Sequence, residues 1–193
     1  MRTDRLKAAY GIEFRYTLFP LHPDTPADGQ TLEQLFADRS FDIEAAQTRL
    51  AVLMAEEGLP YGRRPMTYNS RLAQELAKWV ETQDGGTAIH DALYRAYFVD
   101  GLNIARIDNL LSVVRQLELQ EDEARQVLAS RRFQAVVDAD WQRCRDLGIT
   151  AVPTFMVGNQ GVVGAQPYDV LETLVVEGGA ARAVITDCER RRT

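Results

Sequence analysis

The sequence predicts an α/β protein in which a small sheet domain is interrupted by an all-helical insertion. Three observations carry the prediction. Residues 12–18 alternate, with Ile12, Phe14, Tyr16 and Leu18 on one face and Glu13, Arg15 and Thr17 on the other, the period of a half-buried strand. From Asp42 to Leu147 apolar residues recur at helical spacing, interrupted by glycine, proline and capping residues. Residues 148–175 then read as a strand, a turn, a second strand and a helix opened by proline. One strand, a long helical stretch and a two-stranded unit do not make a simple alternating chain, so the sheet elements fall at the two ends and the helices between them.

Each element has a local reason. Leu6, Ala9 and Tyr10 have helical spacing and Gly11 stops them, giving a short first helix before the strand. Residues 20–29 hold three prolines and a glycine and form a loop. His22 lies in it and is read as satisfied by backbone or water; the alternative is a place beside an active surface, because the loop follows the C-terminal end of a strand. Thr31-Leu32-Glu33-Gln34 has capping-box spacing and starts a short helix. Asp42 caps a helix with Ile43, Ala46, Leu50 and Leu53 on one face, stopped by Gly58-Leu59-Pro60.

Asn69 or Ser70 caps the next helix, 71–82, which buries Leu72, Leu76, Trp79 and Val80. Helix 88–99 places Ile89, Leu93, Ala96 and Tyr97 inward, with His90 off that stripe and read as solvated or backbone-bonded. Trp79 and Tyr97 are read as core residues. Helices 104–117, 121–129 and 132–147 complete the set. Val152 precedes Pro153 and is held extended, and Pro153, with no N–H for a ladder, opens a strand or sits at an edge. The sheet domain is thus 1–30 with 148–193, and the helical insertion, including the helix leading back to the sheet, is 31–147.

Composition narrows the function. With 193 residues and 46% hydrophobic content, the chain has material for a substantial core. A formal charge of -6 argues against a nucleic-acid partner, and Arg190-Arg191-Arg192 is a short basic run in a solvated tail. No segment has the ~20 continuous apolar residues of a membrane helix, and Met1-Arg2-Thr3-Asp4-Arg5 lacks the apolar core of a signal peptide, so a cytoplasmic location without membrane partners is expected. Two unrelated cysteines make neither a disulfide framework nor a metal site, and with His22 and His90 the sole histidines no metal or other cofactor is expected.

Gly148-Ile149-Thr150-Ala151-Val152-Pro153-Thr154-Phe155 followed by Gly164-Ala165-Gln166-Pro167 resembles the DsbA-like thioredoxin-fold family, particularly its cytoplasmic FrnE-like branch. Phe19-Pro20-Leu21-His22-Pro23, Asn69-Ser70 and Ala96-Tyr97-Phe98 with Gly101 resemble the same branch, so the similarity covers roughly residues 5–177. The resemblance implies a thioredoxin-like sheet carrying a helical lid, a cis proline at Pro153, and a Cys-x-x-Cys motif at the start of the first helix. This sequence has no such motif. Residues 1–11 resemble the tail of that helix, so the sheet is expected to be incomplete at its N-terminus, lacking the strand that lies between those matching residues 12–18 and 154–157. Three explanations are a start codon placed too far downstream, a shortened chain whose sheet closes on itself or borrows a strand in a homodimer, and a relative that never used cysteine.

Thiol–disulfide exchange needs a thiolate of lowered pKa and a second cysteine to resolve the mixed disulfide. Cys144, aligned with Phe133, Val137 and Leu147 on a helix, is read as a buried inert thiol, and Cys188 as a surface thiol in the tail. Val152, Pro153 and Thr154 are instead the candidate substrate-binding residues, because an extended loop with open backbone groups pairs with an extended polypeptide by strand addition. The resemblance implies a thiol–disulfide oxidoreductase or isomerase, expected to be inactive in redox exchange on this sequence's own cysteines. The alternatives are a glutathione-dependent transferase or isomerase of the kappa or hydroxychromene-carboxylate isomerase type, and a non-catalytic peptide-binding module. The expected partners are accordingly an extended polypeptide, a thiol substrate or glutathione.

Overall fold

The computed structural model describes residues 2–84 and 86–183. The expectations for Cys188 and for Arg190-Arg191-Arg192 lie outside the described residues. The chain divides into two compact units, one of Met1–Thr17 with Cys144–Thr193 and one of Leu18–Arg143.

The first unit holds helix α1 (Arg2–Tyr10), strands β3 (Thr154–Val157) and β4 (Gln160–Val163), and helix α9 (Tyr168–Glu177). β3 and β4 form an antiparallel hairpin in which Thr154 faces Val163 and Phe155 faces Val162. Gly158 turns it at φ +61°, a conformation that a Cβ disfavours. Phe155, Val157 and Val162 pack on a cluster of Leu6, Tyr10, Leu171 and Val175, so the hairpin buries one face against α1 and α9. Polar ties close the same layer: Tyr10 donates its hydroxyl to Glu172 Oε1 at 2.7 Å, and Arg182 Nη2 donates to the same oxygen at 2.8 Å.

Residues 12–18 form no strand, contrary to the sequence reading. The alternation is real but partial. Ile12 and Phe14 pack on the α1–α9 cluster between exposed Glu13 and Arg15, whereas Tyr16 is 37% exposed. Alternation reports which side chains meet a core; a strand also requires a ladder, and none joins this segment among the described residues.

The second unit begins with the proline-rich loop and a two-residue ribbon, β1 (Gln30–Thr31) antiparallel to β2 (Met66–Thr67). Helices α2 (Leu32–Leu35), α3 (Ile43–Glu56), α4 (Arg71–Val80), α5 (Ala88–Tyr94), α6 (Ile107–Gln116) and α7 (Glu121–Ala129) follow, and α8 (Gln134–Asp146) crosses the division between the units. Thr31 makes the expected capping box, its side chain accepting from Gln34 N while Gln34 Oε1 accepts from Thr31 N. Asp42 caps α3 by accepting from Ala45 N at 2.9 Å. At α4 it is Asn69, not Ser70, whose side chain accepts from the first helical N–H, that of Arg71. α5 runs into a π-helical turn over Arg95–Val99 instead of continuing as an α-helix to residue 99.

Leu76, Trp79, Ile89, Leu110, Val114 and Leu128 form the centre of this unit, with α4 buried between α5, α6 and α7. The loop after Leu18 belongs here because its backbone is held by side chains of this unit. Asp140 accepts from Leu18 N, Gln74 donates to Phe19 O, and Asn69 donates to Pro23 O and Thr25 O. The division therefore falls after Thr17 rather than at residue 30.

Candidate functional site

Ala151-Val152-Pro153-Thr154 is anchored at its C-terminal end by the β3–β4 hairpin. Pro153 O accepts from Gly164 N at 2.8 Å, and Gly164 stands at φ +95°, so the residue that ends β4 turns its N–H back onto the loop. Thr154 Oγ1 donates to Ala151 O at 2.7 Å, bracing the loop from within. The Val152–Pro153 peptide is cis. Val152 is 46% exposed and Pro153 is exposed beside it. Neither backbone group of Val152 has a hydrogen-bond partner among the described residues. The three residues singled out in the sequence are thus adjacent, braced by Gly164 and Ala151, and open at the first of them, Val152.

The rest of this surface is apolar. Thr154, Met156, Gly161 and Val163 lie on the hairpin face opposite Phe155 and Val162, and Val163 is 56% exposed. β4 occupies one edge of β3, and no ladder occupies the other edge among the described residues. Such an edge offers backbone donors and acceptors to an extended chain.

Cys144 is 3% exposed near the C-terminal end of α8, as its alignment with Val137 implied, and so lacks the helix N-terminus that lowers a thiol pKa. His90 adds to the sequence reading: its Nε2 lies 3.0 Å from Glu81 Oε1, so this ring nitrogen meets a carboxylate side chain. Burial pushes the Glu81 carboxyl up, but hydrogen bonds from His90 and Lys78 outweigh it and the net shift is downward. Glu81 is thereby kept as an acceptor, a structural role well explained by Lys78 on the same helix. Among the described residues no group of three or more His, Cys, Asp or Glu is placed to hold a metal. The bracing roles of Gly164 and Ala151 were not legible in the sequence, since their contributions are backbone groups and carry no side-chain signal.

A family model of the DSBA-like thioredoxin domain matches residues 1–176. The chain belongs to that family. A DsbA-like fold is also what solved structures share with it. The crystal structure of a probable DsbA oxidoreductase from Streptomyces coelicolor superposes with a TM-score of 0.82 at 28% identity, covering 97% of this chain and 86% of that one. A 2-hydroxychromene-2-carboxylate isomerase superposes with a TM-score of 0.65 at 18% identity over 92% of this chain and 85% of that one, which extends the likeness in fold. Among curated proteins, the uncharacterized protein YwbO of Bacillus subtilis (strain 168) is 28% identical over 105 residues, 54% of this chain; the match spans about half of that relative's length, 52%. This DsbA-like chain therefore has a thioredoxin-like α/β fold with a helical insertion, and among its described residues no helix is long and apolar enough to cross a membrane.

Proposed function

We propose that this chain is the polypeptide-binding part of a FrnE-like, cytoplasmic thiol–disulfide oxidoreductase or isomerase, and that Val152, Pro153 and Thr154 hold an extended substrate by main-chain pairing. The observation that carries the reading is the open backbone of Val152 in a loop braced on both sides by Gly164 and Thr154. Exchange itself takes two thiols. One thiolate attacks a sulfur of the substrate disulfide, forming a mixed disulfide and releasing the other substrate sulfur as thiolate; a second protein thiolate then displaces the bound substrate sulfur, leaving a protein disulfide and a reduced substrate. Buried Cys144 is unsuited to the first step. We therefore assign the exchange to a cysteine pair on a further strand and helix, supplied upstream of this sequence, with the strand docking on the open edge of β3. A strand from a second copy docking there would instead give a homodimer.

The test uses two chains, this one and one extended upstream to the next in-frame start, assayed side by side for dithiol-dependent disulfide reduction and for binding of an unfolded, cysteine-free polypeptide. Turnover by the extended chain alone, with polypeptide binding by both, is the expected result. Val152→Pro, which removes the open N–H, should weaken polypeptide binding at least tenfold in either chain. Unchanged binding by that variant would overturn the loop assignment. Glutathione turnover in place of disulfide reduction would favour the transferase or isomerase alternative.

A further inference from the structure

The helical unit contains a half-open cavity of about 430 Å³, inside the ~300–1,000 Å³ range of small-molecule sites. α2, α3, the segment 61–70 and the π-helical turn wall it. Leu32, Phe36, Leu50, Tyr97 and Phe98 give it an apolar body. The wider π turn sets the consecutive rings of Tyr97 and Phe98 edge to face on one wall, centroids 4.7 Å apart; single π turns recur at functional sites. α3 is one of the walls, and none of its side chains is fully buried. Ile43, Ala46 and Leu50 of that helix face the cavity, so its apolar side lacks the packing that a core helix has.

The charge on these walls is one-sided. The sequence holds 28 acidic residues and a net charge of -6, yet no Asp or Glu lines the cavity, while Arg64 and His22 do. The Arg64 guanidinium lies over the rings of Tyr97 at 4.6 Å and Phe98 at 5.1 Å. Its Nη1 donates to Met66 O at 2.9 Å and to the Tyr97 hydroxyl at 2.6 Å, and Thr67 Oγ1 lies 3.0 Å from that hydroxyl. No carboxylate pairs with Arg64, and its Nε and Nη2 have no hydrogen-bond partner among the described residues. A half-buried arginine fixed by aromatic faces, with two donors open, is preorganised for a carboxylate. His22 is held below the usual histidine range, first by burial and then by the charges of Arg39 and Arg64, so it adds a neutral polar group beside that cation.

We propose that this cavity binds a medium-length apolar monocarboxylate, its carboxylate taken by Arg64 and its body lying against Leu50, Tyr97 and Phe98. The site lies wholly within the helical unit and does not depend on the disulfide-exchange reading. Two features of the cavity exclude other ligand classes: its apolar walls oppose a polyanion such as a nucleotide, and the lone cation leaves a neutral lipid without an orienting partner.

Isothermal titration of the full chain with octanoate, octan-1-ol and acetate tests it. Octanoate should bind at least tenfold more tightly than octan-1-ol, and acetate should give no measurable heat. Arg64→Met, which keeps the apolar stem, should weaken octanoate at least tenfold while leaving octan-1-ol unchanged; Arg64→Lys should fall between the two, since it keeps the charge and loses the planar fork. Ala46→Phe, which fills the space below α3, should abolish both ligands while the circular dichroism spectrum stays that of the parent. The proposal is overturned if octan-1-ol binds as well as octanoate, if no binding occurs up to the solubility limit, or if Arg64→Met binds octanoate like the parent. Loss of octan-1-ol in both Arg64 variants would also overturn it, because the arginine would then be shaping the cavity and not reading the carboxylate.

Discussion

Glu75 is the most deeply placed charge of the helical unit, 1% exposed on α4, and replacing it with glutamine is the most informative single change for the fold. Its Oε1 accepts from Arg71 Nε at 2.7 Å and Arg131 Nη2 at 2.6 Å, and its Oε2 accepts from Arg131 Nε at 2.8 Å. Arg131 stands at φ +54° in the turn after α7, so the carboxylate fixes a residue in the left-handed region as well as two cations. Each charge-assisted bond contributes about 1.5–3 kcal/mol, and breaking a buried pair from one side costs about 3–5 kcal/mol. Arg131 is partly solvent-exposed and can rehydrate, and Arg71 keeps its contact with Asp138 at 2.7 Å, so Glu75→Gln should cost about 3 kcal/mol, the low end of that range. Burial alone raises the Glu75 carboxyl, but hydrogen bonds from Arg131 and Arg71 and their charges outweigh it, so its folded pKa is lowered. The stabilisation is therefore fully present above the ordinary glutamate pKa of about 4.3 and is lost as pH falls through the lowered folded value. Urea unfolding followed by tryptophan fluorescence reads the correct unit, since Trp79 and Trp141 both lie in Leu18–Arg143. A variant within about 0.5 kcal/mol of the parent at neutral pH would refute the reasoning, as would a gap that does not close on acidification.

Asp42→Ala removes the cap of α3 and should cost about 1 kcal/mol, with faster amide exchange at residues 43–47 by mass spectrometry and unchanged exchange in α4. In a Cys188→Ser background, Cys144 should react with an aromatic disulfide reagent only after denaturation, in proportion to the unfolded fraction; rapid labelling of the native chain would contradict its burial.

The helical half was legible in the sequence because its boundaries are chemical. Thr31, Asp42, Asn69, Gly58 and Gly148 each act locally, and the helices start or stop within a few residues of them. The sheet was less so. Gln30–Thr31 pairs with Met66–Thr67 across the 34 residues 32–65, and two-residue strands carry no period to read. At residues 12–18 the opposite happened: a clean period was present without a ladder, because the α1–α9 cluster selects Ile12 and Phe14 by burial alone. The π turn at Arg95–Val99 left no sequence mark, since its apolar residues fit an α-helical stripe equally well.

The two candidate sites differ in the same way. The loop at Val152 was visible because proline restricts its own backbone and that of its neighbour, so one residue type announces a backbone conformation. What completes that loop, the Gly164 N–H on Pro153 O, was invisible because any residue type carries an N–H. The cavity in the helical unit lies further from sequence reasoning, for its walls come from residues between Leu21 and Ile104 that no spacing links. Its strongest mark is an absence: among the described residues no carboxylate pairs with Arg64 and none lines the cavity, in a chain richer in acids than in bases. A cation half-removed from water without a counter-ion loses hydration that two rings, one backbone carbonyl and one phenol hydroxyl do not restore, so the fold carries that cost unless an anion enters. Octanoate binding should therefore stabilise the helical unit against urea, and Arg64→Met should leave the unliganded unit no less stable than the parent while removing that ligand-dependent gain.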